Sequence, residues 1–164
     1  MDQIDANKVW QNFMDTVTNH YMDFSGRVGR SQFWFFVLVC VGIEIIAAII
    51  SSIFIGGLIS SLVGLALLLP TGGMAARRIQ DTGRNAQFVW IWILISAVFQ
   101  LISLMGSLSL LYFFLMFGWL YSLISLVVLV VSIAIIYFCA QLGTPGDNAY
   151  GPPPAPWTPG AVKP

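Results

Sequence analysis

Charge is what this chain has least of. Only 9% of its 164 residues are Asp, Glu, Lys or Arg, against roughly 25% in an ordinary soluble domain, too few to cover a water-facing surface. The seven basic and seven acidic side chains cancel, so the chain has no basic excess with which to displace counterions from nucleic acid. Histidine occurs once, as His20, and cysteine twice, as Cys40 and Cys139. No CxxC or HExxH can be built from these, and the two thiols fall in separate apolar runs. They read as small buried residues, and neither a metal site nor a cofactor is expected. There is also no Ser–His or Cys–His arrangement, no pair of aspartates on an apolar run and no phosphate-cradling glycine loop. A non-enzymatic protein with no catalytic residue is the expectation. The first 22 residues lack the basic patch and apolar core of a cleavable leader, so insertion is expected to rely on the first membrane helix.

What the chain has is oil: 58% hydrophobic residues and a mean hydropathy of +0.85. About 20 apolar residues make a helix long enough to cross a ~30 Å hydrocarbon core. Four stretches qualify: Phe33–Ile55, Leu58 to about Met74 with continuation into Arg78, Phe88 to about Met105, and about Leu110 to Phe138. "GG" at 56–57 and "GSLS" at 106–109 mark tight reversals. Pro70 falls inside the second helix, which is tolerable where a neighbour satisfies the carbonyl that proline leaves without a donor. Ahead of these, Ala6, Val9, Trp10, Phe13, Met14, Val17 and Tyr21 recur at helical spacing on an otherwise polar stretch. That is an amphipathic helix, lying either in the interface or on the protein's own membrane helices. The expected fold is all-α: an N-terminal amphipathic segment over 1–30, a four-helix transmembrane domain over 31–140, and a Gly/Pro-rich tail over 141–164. Its last part, "GPPPAPWTPGAVKP" at 151–164, reads as a solvated end, with a polyproline ligand as the alternative.

All seven basic residues lie before the first crossing (Lys8, Arg27, Arg30), between the second and third (Arg77, Arg78, Arg84) or in the tail (Lys163). The other two turns carry no charge. The positive-inside rule therefore predicts a multi-pass membrane protein with both termini and the middle loop in the cytoplasm.

Three stretches, "FSGRVGRSQFW", "AARRIQDTGR" and "GTPGDNAYGPPP", together resemble the YhaH-like family of small bacterial inner-membrane proteins, catalogued as a domain of unknown function. The resemblance covers about residues 10–155. It implies the location and the four-helix plan, and no activity.

Two constellations are candidates for function. On a helix leaving the membrane, Asp81 is four residues from Arg77 and three from Arg78, so either arginine can meet it, and Gly83 suits the left-handed position that ends a helix. Exposed pairs of this kind contribute only ~0.3–0.5 kcal/mol. One reading is a topological anchor with a helix stop. The other is a site for phosphate oxygens, which match arginine's fork. On that reading Arg27, Arg30, Arg77, Arg78 and Arg84 gather with Asp81 and Asp147 at one level, and Asp147 pairs with one of the arginines. The ligand would be an anionic lipid headgroup or a partner protein.

The second constellation is Glu44, mid-span in the first crossing, where an acid costs about 2.5–3.5 kcal/mol. Cys40, Ala47, Ala48 and Ser51 flank it at spacings of three, four and seven, a small-residue face that lets another helix approach. Gln100 lies at a matching depth of ~17 Å at 1.5 Å per residue, on a face with Ser96, Ala97, Ser103 and Ser107. Gly118, Ser122, Ser125 and Ser132 form a third seam. Glu44 is expected to hydrogen-bond Gln100 or a serine on one interior line. A binding or accessory protein acting through the arginines is the first functional reading. A small, homo-oligomeric transporter or channel with Glu44 in its path is the alternative.

Overall fold

The computed structural model describes residues 4–54, 57–108 and 110–157. Five helices follow one another: α1 (Ala6–Asn19), α2 (Arg30–Phe54), α3 (Leu58–Asp81), α4 (Phe88–Leu108) and α5 (Leu110–Ala140). Within α2–α5, the stretches Arg30–Ile53, Leu58–Asp81, Phe88–Met105 and Phe117–Ala140 are each long and apolar enough to cross a membrane. The "GSLS" reversal is shorter than expected. Helix persists to Leu108 and resumes at Leu110, and position 109 lies outside the described residues.

Helix α3 is the centre of the molecule, flanked by α2 and α4, with α5 packed on α4 and α1 laid across α2 and α3. Helices α2 and α5, whose pairing would close a four-helix bundle, make at most marginal contact among the described residues. The buried core is correspondingly one-sided. Phe33, Phe36, Met74, Ala75, Ala76, Ile79, Val89, Ile93, Ile135 and Cys139 all sit near the end of the bundle that carries the arginines. The far half of α5 presents Trp119, Leu123 and Leu126 outward.

The N-terminal segment is anchored to that core. Asp5 caps α1 by accepting from the Asn7 N–H at 2.9 Å, as a short polar side chain does for an orphan donor. Asn12, Phe13 and Thr16 are buried, Asn12 Nδ2 donates to the Gln32 carbonyl at 3.1 Å, and Phe13 stacks on Phe36. Trp10 and Met14 stay exposed. Beyond α1 the chain presses against Gly73, where a Cβ would come within 2.7 Å of the Asp23 carbonyl oxygen.

Pro70 sits inside α3 without ending it. Proline has no N–H for the carbonyl four residues earlier, which is that of Ala66. The Tyr21 hydroxyl fills the gap, donating to Ala66 O at 2.6 Å.

In the expected solvated end, Pro152, Pro153, Ala155 and Pro156 are exposed, whereas the chain just before it is bound to the protein. Residues 141–157 fold back on the arginine-bearing end, with an antiparallel bridge between Asn148 and Gly151, and Trp157 packs against Phe35 with ring centroids 5.7 Å apart. Unpaired helix-end carbonyls and buried arginines give this segment more partners than water alone would. Residues 158–164, including Lys163, lie outside the described residues.

Candidate functional site

Helix α3 ends as its sequence dictates. Thr82 N–H and Oγ donate to the Ile79 carbonyl at 3.0 and 2.7 Å. Gly83 takes φ 78° and its N–H donates to Gln80 O at 2.9 Å, the left-handed stop expected of glycine. The Gln80 carbonyl still has a second lone pair, and that of Asp81 remains. Asn148 Nδ2 donates to the first at 3.0 Å, and the Thr144 N–H and Oγ to the second at 2.9 and 3.1 Å. The tail therefore completes the helix terminus that α3 leaves open.

Around this joint the charges sort themselves. Asp81 receives both Arg27 and Arg78. Arg27 Nε donates to Asp81 Oδ1 at 2.9 Å, Nη1 to the carbonyls of Gly146 and Gly151 at 2.7 and 3.1 Å, and Nη2 to Thr144 O at 2.6 Å. Arg78 Nε donates to Cys139 O at 2.9 Å and Nη1 to Val28 O at 3.4 Å. Its other donors meet Asp81 Oδ2 and Gln141 O. The side chains are almost sealed: Arg27 is 1%, Arg78 0% and Asp81 6% exposed. A guanidinium offers five N–H donors, and here carbonyls and one carboxylate occupy both forks. The clasp joins four pieces of chain, at residues 27–28, 78–81, 139–141 and 144–151.

The pairing differs from expectation in four respects. Asp81 is buried rather than surface-exposed, and only Arg78 of its two helical neighbours reaches it. Arg77 points to the opposite side of α3, where its Nη1 is 3.7 Å from Asp23, its Nη2 meets the Met74 sulfur and its buried Nε has no partner. Asp147 is exposed and pairs with no arginine among the described residues, because the turn directs Asn148 inward and leaves residue 147 outside. Arg30 and Arg84 are exposed as well, and Arg84 lies over the Phe138 ring at 4.9 Å. Five arginines and two aspartates thus do not form one pocket. Burial by itself would raise the Asp23 carboxyl. Hydrogen bonds from the Ser25 N–H and hydroxyl, the charge of Arg77 and the contact with His20 outweigh it and hold the group below its ordinary value.

The intramembrane candidates also differ from expectation. Glu44 and Gln100 line one cavity of about 550 Å³ between α2, α3 and α4, with Thr71, Trp92, Ser96 and Phe99 on its wall. They share that space without bonding to each other: neither has a hydrogen-bond partner among the described residues. The Gln100 amide instead lies against Gly64, where any Cβ would overlap it. The expected third seam does not reach them. Ser122 and Ser125 donate to backbone carbonyls of their own helix, and Ser132 accepts from the Trp92 indole at 2.9 Å. The side chain of Ser107 lies outside the described residues.

Sequence reasoning missed the acceptors of the clasp, since backbone carbonyls leave no residue-type trace. Glycine at 143 was the available sign: a Cβ there would land on the Asp81 carboxylate.

The sequence pattern of the family described as "Protein of unknown function (DUF805)" matches residues 21–152, which include every member of the clasp and of the cavity wall. The chain belongs to this family. Among curated relatives, "Inner membrane protein YhaI" of Escherichia coli (strain K12) is 32% identical over 144 residues, covering 85% of this chain and 92% of that protein. "Inner membrane protein YhaH" of the same strain is 28% identical over 145 residues, covering 84% and 92%. No solved structure matches. The family's location and the four apolar helices together make this an integral inner-membrane protein.

Proposed function

We propose that this is a non-enzymatic binding protein whose ligand seat is the cavity between α2, α3 and α4, with the arginine clasp serving as the structural tie that holds the bundle together. One observation carries the reading: a space of about 550 Å³ inside the bundle is lined by Glu44, Ser96 and Gln100 without being filled by them. That volume falls within the ~300–1,000 Å³ of small-molecule sites. Anionic-lipid binding through Arg27 and Arg78 is disfavoured by their saturation, since a phosphate would have to displace Asp81 and several carbonyls. Among the described arginines, Arg30 and Arg84 are exposed and left for an inner-leaflet contact.

The two seats separate by native mass spectrometry of protein extracted gently from its own membrane. Ala48 is exposed on the cavity rim, so Ala48→Phe blocks the space while leaving the core alone. A co-purified amphiphile is expected on the wild type, absent from Ala48→Phe and retained by Arg30→Ala with Arg84→Ala. Retention by the first variant and loss from the second would transfer the site to the arginines.

On the same reading both termini are cytoplasmic, because the chain's basic residues lie before or at the start of α2, from the end of α3 to the turn before α4, and in the tail, leaving the other two turns uncharged. A C-terminal green fluorescent protein fusion should fluoresce and a C-terminal alkaline phosphatase fusion should be inactive. The reverse pattern overturns the orientation.

A further inference from the structure

Two features of the cavity narrow its ligand. The first is an unanswered acid. Glu44 has no hydrogen-bond partner among the described residues, and no Lys, Arg or His is among the side chains lining the cavity. An acid at this depth normally pairs with another side chain or with whatever passes through. The second is a wall of unused polar groups among aromatic ones. Ser96 is 6% exposed and its buried Oγ has no partner, while the Gln100 side chain, one turn along the same face of α4, lines the cavity without a hydrogen bond among the described residues. Trp92 has committed its indole N–H to Ser132, so its ring face is what it presents, and Phe99 adds another. An acid, two free acceptors and aromatic faces in a low-dielectric space are complementary to an alkylammonium: Coulombic pairing, N–H···O bonds and cation–π attraction act together.

The route in is lateral. Val41, Ile45 and Ala48 line the cavity and are themselves exposed, so it opens through the side of the bundle into the hydrocarbon. Its ligand must therefore partition into lipid. We propose that the cavity binds a lipophilic cation, an amphiphile with a single ammonium head, with Glu44 as its counter-ion and Ser96 and Gln100 accepting from its N–H groups. The proposal rests on the cavity being the ligand seat, and adds the charge of what occupies it.

The test uses the full chain in phosphatidylcholine nanodiscs, with saturable binding of labelled dodecylammonium and labelled dodecanol measured separately. Wild type should prefer the cation by at least about tenfold, the factor set by 1.4 kcal/mol of pairing. Glu44→Gln should bind dodecanol as wild type does and lose the preference, its dodecanol binding serving as the control for folding. Ala48→Phe should lose both probes. Equal binding of the two probes by wild type, or a preference that survives Glu44→Gln, overturns the cation and leaves the cavity reading standing. If neither probe binds saturably, both readings fall.

Discussion

Asp81→Asn is expected to destabilise the protein by about 3–5 kcal/mol, the usual result of removing one member of a buried ion pair. Among the described residues Asp81 is the one carboxylate facing Arg27 and Arg78, and asparagine keeps its shape while removing its charge. Two sealed guanidiniums would then share neutral acceptors alone, and the new amide N–H₂ would point donors at donors. Folded proteins hold only about 5–15 kcal/mol in total, so the variant should melt well below wild type or aggregate on extraction. Fluorescence-detected size-exclusion chromatography after a temperature series measures this directly. Asp147→Asn, which removes a charge of the same sign from the exposed side of the same turn, should leave the melting curve unchanged. Equal melting of Asp81→Asn and wild type would show that the carbonyls alone sustain both arginines.

The second large effect is conditional. Tyr21→Phe should cost about 1–3 kcal/mol, because it strands the Ala66 carbonyl that Pro70 leaves without its helical donor. In a Pro70→Ala background the backbone N–H of residue 70 returns and supplies that bond itself. The same Tyr21→Phe change should then be nearly neutral. The four-member cycle isolates the coupling between the two sites, and a loss that is identical in both backgrounds would refute it. The arrangement also gives the N-terminal segment a reason to run beside α3: its tyrosine completes a helix that contains a proline.

Hydropathy made the four crossings legible to within a few residues, because the cost of burying polar backbone and side chains in hydrocarbon leaves long runs with few alternatives. Gly83 was legible for a similar reason, a helix stop having few local solutions. The arginines were not. Their number and spacing left a topological anchor and a phosphate site both open, yet what surrounds Arg27 and Arg78 is the carbonyls of Cys139, Gln141, Thr144, Gly146 and Gly151, and any residue carries a carbonyl. Matching Glu44 with Gln100 by depth brought both to one cavity, but depth says nothing about rotation around the helix axis, and Gly64 draws the Gln100 amide towards α3. Among the described residues, glycines at 64, 72, 73 and 143 mark four tight approaches, each intelligible only once its neighbour is known.

The clasp also imposes an order in time. Arg27 and Arg78 emerge early in synthesis, whereas the carbonyls they require belong to residues 139–151. At about 5–20 residues per second, Arg78 waits roughly 4–15 s for the last of its neighbours' partners to be made. During that interval α2 and α3 are already candidates for insertion while their cationic ends remain hydrated. Only a chain extended through the turn at Asn148–Gly151 can therefore dehydrate both arginines. A chain stalled before it would keep both guanidiniums in water and the arginine-bearing end of the bundle unsealed.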